Sequence, residues 1–172
     1  MSSFRTHTSL LPLVVVMSFG TIASASTQAL DRLRYGGNEY SVFETPMTGL
    51  WHYGKGKAPT GKTQPPAFEV NSSNNWGGYF AKWEVHDKKL LLRSIRGRIN
   101  GHKVRNDAIL KDRVFPVHAT WFTGRIHLPV GDYVDEKQEW ESVIVFDVEN
   151  GNVKSTTFLE SGKIPRSWNG LP

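Results

Sequence analysis

The chain has 172 residues, with 21 Lys and Arg against 16 Asp and Glu, a formal net charge of +5, and no cysteine. Such a length suits one domain with its own core. The missing cysteines exclude disulfides, thiol nucleophiles, thiolate metal sites and lipid attachment through a cysteine, while the basic balance favours anionic partners over distance.

In chain order, the start carries one firm base, Arg5, and no acid. An apolar run from Leu10 to Ile22 follows, broken only by Pro12, Ser18, Gly20 and Thr21, and closes on Ala23-Ser24-Ala25. That is the layout of a secretory signal. The run is shorter than the ~20 residues a helix needs to span a bilayer. Residues 1–25 are therefore expected to be a cleaved signal peptide, and residues 26–172 a single β-rich domain. The mature form would be periplasmic or extracellular and lack a transmembrane segment. Cleavage would leave 20 basic and 16 acidic residues, a net charge of +4.

Strand signals dominate the rest. Leu33–Glu44 reads as two short strands around Gly36-Gly37-Asn38. From 52 to 75 the composition turns to Gly, Pro, Lys, Ser and Asn, which marks a long loop. Tyr79, Ala81, Trp83 and Val85 alternate with Phe80, Lys82 and Glu84, as in a half-buried strand. His86-Asp87-Lys88 turns the chain into a returning strand, Leu90–Ile95, which Arg96–Ile99 extends. Asp107–Val114 is the one helix candidate, with Asp107 as its cap and Pro116 as its stop. Thr120–Leu128 reads as a strand ended by Pro129 and Gly131. Its Phe122, Ile126 and Leu128 face the core; Trp121, Thr123, Arg125 and His127 face the other way. Ser142–Val148 is apolar on both faces, like a central strand, and Asn150-Gly151 turns into a last strand, Val153–Leu159. A tail follows, with Trp168 as its packing residue. The fold class expected is mainly β: one antiparallel meander domain, barrel-like or sandwich, with at most one short helix.

Three stretches resemble a family of small, uncharacterised bacterial proteins without a known activity. The first is Trp76-Gly77-Gly78-Tyr79-Phe80-Ala81-Lys82-Trp83-Glu84-Val85, followed by Asp87-Lys88-Lys89-Leu90-Leu91-Leu92 and Ile95. The second is Ala119-Thr120-Trp121-Phe122-Thr123-Gly124 followed by Leu128-Pro129-Val130-Gly131, and the third is Glu141–Val148 before Gly151. Where that family has Trp-Arg-Gly-Tyr this chain has Trp-Gly-Gly-Tyr, and of the family's His-Met-Gly-Tyr-type run it keeps only Tyr133. The resemblance implies one β-rich domain and carries no site residues, cofactor or activity with it.

Among residues able to do chemistry, Trp121, Thr123, Arg125 and His127 form the candidate ligand-binding face: an aromatic plate beside a guanidinium and an imidazole suits a sugar, a carboxylate or a phosphate. Glu84, His86, Asp87, His118 and Glu141 have the chemistry of an acid–base pair, yet no ligand spacing such as His-x-x-x-His is present, so no metal and no cofactor is expected. The phosphate-binding glycine loop and the nucleophile elbow are both missing. Charge is uneven. Ten bases and four acids lie between Lys82 and Arg113, and seven acids and one base between Asp132 and Glu149. Either the two blocks attract each other or the basic one is a contact surface. The reading favoured is an exported, non-enzymatic binding or inhibitor-type domain of the bacterial envelope, taking a protein or an anionic envelope polymer and not nucleic acid. The alternative is a cell-wall-directed hydrolase using Glu/Asp and His.

Overall fold

The computed structural model describes residues 30–52, 57–70, 75, 77–134, 136, 137 and 139–162. The expected signal peptide and Trp168 lie outside the described residues. Among the described residues nine strands form one sheet: β1 (Asp31–Tyr35), β2 (Asn38–Val42), β3 (Tyr79–His86), β4 (Lys89–Ile99), β5 (His102–Arg105), β6 (Val117–His118), β7 (Gly124–Val134), β8 (Glu139–Glu149) and β9 (Asn152–Leu159). Its order is β2-β1-β3-β4-β9-β8-β7, with β5 and β6 also paired to β4. The domain is mainly β and nearly closed into a barrel, as expected. Among the described residues the helical pieces are two short 3-10 turns, Pro46–Gly49 and Asn106–Ala108, and no helix is long and apolar enough to cross a membrane.

Alternation explains the core. Tyr79, Ala81 and Trp83 of β3 point inward with Leu90, Leu92 and Ile95 of β4, while Lys82 stays exposed. A bulge opposite Lys82/Trp83 takes up Arg93, which keeps Leu92 and Ile95 on the same face despite their odd spacing. β8 runs between β7 and β9 and buries Val143, Val145, Phe146 and Val148. The chain follows hairpins within β3–β4–β5 and β7–β8–β9. β1 pairs parallel with β3, and the two blocks meet where β4 pairs with β9 at Lys89–Asn152.

Asp31 sits at the parallel β1–β3 seam. Its carboxylate accepts the Ala81 backbone N–H at 2.8 Å and the Trp83 indole N–H at 3.0 Å. Enclosure raises its pKa from 3.8 to about 6, because desolvation outweighs the two hydrogen bonds that favour the charged form. The barrel's other seam, where β2 lies against β7, is held by side-chain contacts. Glu44 accepts the His127 backbone N–H at 3.2 Å and pairs with His127 Nδ1 at 2.6 Å.

The long loop turns back onto the sheet. Glu69 donates its N–H to the Arg98 carbonyl at 2.9 Å, so the chain there continues the edge that β3 leaves at Tyr79. Phe68 joins Trp51 and Tyr79 in an aromatic cluster. Only a glycine fits beneath it: a Cβ on Gly97 would lie 2.6 Å from the Phe68 ring, and one on Gly78 2.6 Å from Phe68 Cβ. Gly78 thus answers to close approach by residues 68 and 69, and Gly77 to the Tyr79 ring, which would lie 2.8 Å from its Cβ.

Two expectations are corrected. Asp107–Val114 is not a helix. Asn106 adopts φ +46° and its side-chain oxygen accepts the Ile95 N–H at 3.0 Å, which ties the segment to β4. Asp112 at φ +65° then breaks any helical run, and Asp107 caps nothing. The strand expected at Thr120–Leu128 begins instead at Gly124 and runs past Pro129 and Gly131 to Val134. Thr120–Phe122 is a turn, closed by the Phe122 N–H on the Ala119 carbonyl at 2.9 Å. Proline is tolerated because β7 ends the sheet order and pairs only with β8, so its missing donor costs no ladder bond. Gly131, at φ +78°, falls in a bulge between Val130 and Tyr133.

Candidate functional site

The expected binding face does not assemble as a free patch, for each of its members is engaged by its own chain. Trp121 is half-buried and donates its indole N–H to the Pro46 carbonyl at 3.1 Å, with Arg113 5.8 Å from its ring centre. The Thr123 hydroxyl accepts the Asn150 N–H at 3.0 Å. Arg125 pairs with Asp147 at 2.8 Å, and His127 closes the β2–β7 seam. The reason is the turn at Thr120–Phe122: it interrupts the pleat, so Trp121 and Thr123 do not continue the face of Arg125 and His127.

Trp121→Ala is therefore expected to destabilise the domain by about 2–4 kcal/mol, through lost packing and the orphaned Pro46 carbonyl. Arg125→Ala should cost under about 1 kcal/mol, since its ion pair is solvent-exposed. Urea titration of the two single variants checks this. Equal, small losses would return Trp121 to the list of free surface residues.

The acids and histidines of the alternative reading are also dispersed. Glu84 pairs with Arg93 at 3.1 Å, Glu141 accepts the Asp132 N–H, and His118 Nε2 meets the Gly151 carbonyl at 3.1 Å. Exposed His86 and Asp87 pair at 3.3 Å. Among the described residues, no three His, Asp or Glu come together as a metal site would require.

A different surface gathers charge. The β4–β5 hairpin turns at Asn100-Gly101, both at positive φ, as its two-residue primed turn requires. That register sets Arg96 opposite Arg105 and Arg98 opposite Lys103. Residues directly opposite in an antiparallel pair share a face, and Phe80 stands opposite Arg96 on the β3 side. With Ile95 in the core, this face looks outward. The result is a cleft of about 640 Å³ lined by Phe80, Arg96, Arg98, Lys103, Arg105 and Glu69.

Two of the four cations are held in place. Arg96 lies over the Phe80 ring, 5.4 Å from its centre. Arg98 contacts Glu69 at 3.4 Å and donates to the Gly101 carbonyl at 2.7 Å, while Glu69 also accepts the Gly101 N–H. Among the described residues, Arg96, Lys103 and Arg105 make no ion pair with a carboxylate. Lys82 pairs with Glu39, Arg93 with Glu84 and Arg98 with Glu69, none of them an acid of the 132–149 block. The basic segment was visible in the sequence as a run of charge. Its division into two opposed pairs was signalled by Asn100-Gly101, a hairpin dipeptide that fixes which bases meet.

No family model matches the chain, and no curated protein or solved structure gives a significant match. The motif resemblance accordingly rests on its residues alone.

Proposed function

We propose that the protein is an exported, non-enzymatic binding domain of the bacterial envelope, and that the outer face of β3–β5 takes an anionic partner. The observation that carries this reading is the pair of like-charge contacts, Arg96 opposite Arg105 and Arg98 opposite Lys103. Like charges directly opposite on neighbouring strands oppose folding, so the arrangement has no structural use and suits an anion that bridges the strands. Glu69 offsets only one of the four charges. The envelope location rests on the Arg5-to-Ala25 layout, and the non-enzymatic character on the dispersed acids and histidines.

The purified protein is expected to bind a polyanionic matrix such as dextran sulfate or polyphosphate beads, and to release it as salt rises. Replacing Arg96 and Arg105 with Gln should weaken retention at least about tenfold, since two charge-assisted contacts are lost. The melting temperature should hold or rise, because one like-charge contact is removed. Unchanged retention in the double variant would overturn the assignment of this face.

A further inference from the structure

The spacing of the two cation pairs specifies more than a general preference for anions. Resting on the reading of this face as a binding surface, we infer that its ligand is a linear phosphodiester polymer of small polyol units. Successive phosphates would sit on the Arg96/Arg105 row and the Arg98/Lys103 row.

The rows are two residues apart along both strands and on one face, which places them about 7 Å apart. That separation fits neighbouring phosphates joined through a short polyol. It is too long for the two phosphates of a pyrophosphate, which share a single oxygen. Within each row the cations come from different strands, with backbones roughly 5 Å apart. An anion lying between them must accept hydrogen bonds from two directions. A tetrahedral phosphate presents its free oxygens that way, whereas a planar carboxylate matches best the fork of one guanidinium.

The remaining lining agrees with this ligand. Arg96 is kept over Phe80 before any anion arrives, so ordering that side chain costs less on binding. Phe80 supplies apolar surface for the carbon atoms of the linker. Glu69 leaves the four cations with a net excess of three positive charges, enough for two singly charged phosphodiesters and for attraction of the next unit. A cleft of about 640 Å³ is within the ordinary range for a ligand of a few linked units. A nucleic acid strand has a comparable phosphate spacing, but single-stranded binding sites gain their affinity from bases stacked on open aromatic faces. Here the Phe80 ring is covered by the Arg96 guanidinium.

The test is calorimetric titration of the purified protein with glycerol phosphate oligomers of one, two, three and four phosphates. Inorganic pyrophosphate, a uronic-acid polymer and oligothymidylate serve as comparisons. Affinity is expected to rise at least about tenfold from one phosphate to two, as the second contact becomes intramolecular. Lys103→Gln, an exposed change on a short strand, should remove most of that step and leave the melting temperature unchanged. Pyrophosphate binding as tightly as the two-phosphate oligomer would show that spacing is not read and would overturn the inference. Tighter binding of oligothymidylate or of the polycarboxylate would overturn it in favour of those ligands, with the face still a binding surface. If no anion binds and Arg96→Gln with Arg105→Gln is silent, the surface assignment itself falls.

Discussion

Trp83→Ala is expected to remove a large share of the domain's stability. Trp83 is 1% exposed, and truncating a buried tryptophan costs about 3–5 kcal/mol in lost transfer energy and residual cavity. A domain of this size has a total stability of only about 5–15 kcal/mol. The same change strips one of the two donors from the enclosed Asp31 carboxylate, which leaves one of its oxygens without that partner. Trp83→Phe is the milder change. It keeps a six-membered ring but loses the indole N–H and the five-membered ring that carries it, so it should cost at least about 1.5–3 kcal/mol, the range for a hydrogen bond to a charged group. It should also push the Asp31 pKa higher still, because one of the contacts that lowers it is gone. Urea midpoints for the two variants are the measurement, and a loss below about 1.5 kcal/mol in Trp83→Ala would show that the β1–β3 core is placed wrongly.

The second large effect is on pH dependence. Asp31 titrates near 3.8 in the unfolded chain and at about 6 when folded. Between those values the folded protein holds a proton that the unfolded chain has released. The favourable contribution is thus fully present below pH 3.8 and is lost as pH rises through about 6. The change is on the order of 3 kcal/mol, at about 1.4 kcal/mol per pH unit of difference. Asp147 acts in the opposite sense. The hydrogen bonds from Arg125 and Ser155 hold its pKa below 3.8, so its contribution is present above that pH and lost in acid. The Asp31 effect is best read as a difference between variants. Asp31→Asn has no proton to lose, and stability measured from pH 4 to 7 should fall less steeply than in the unmodified protein. Parallel curves for the two would mean that the Asp31 carboxyl is hydrated and not enclosed by β1 and β3.

This carboxylate also illustrates how side chains reinforce two of the barrel's junctions. At the parallel seam Asp31 adds contacts to β3 beyond the short β1–β3 ladder. At the β2–β7 seam Glu44 bonds both a backbone N–H and a ring nitrogen of His127. In both places a side chain supplies what the strand ladder does not, which is why His127 serves the closure of the fold.

The sequence by itself determined the local parts of this protein. Alternation over Tyr79–Val85 decides which side chains face inward, since the pleat repeats every two residues. The dipeptides Gly36-Gly37, Asn100-Gly101 and Asn150-Gly151 favour primed turns, because their residues reach positive φ at little cost. Hairpins β1–β2, β4–β5 and β8–β9 follow from them, and so does the pairing of Arg96 with Arg105. Only the tertiary structure decided what depends on contacts between residues distant in the chain. Asn106 is drawn off a helical path by an Ile95 N–H that β4 brings to it. Trp121 is half-buried because the Pro46–Gly49 turn lies against it. His127 faces a carboxylate 83 residues away, and Phe68 reaches Gly97 only after the long loop returns. Patterning is written within a few neighbouring residues, whereas the use of a polar side chain depends on which partner the folded sheet carries to it.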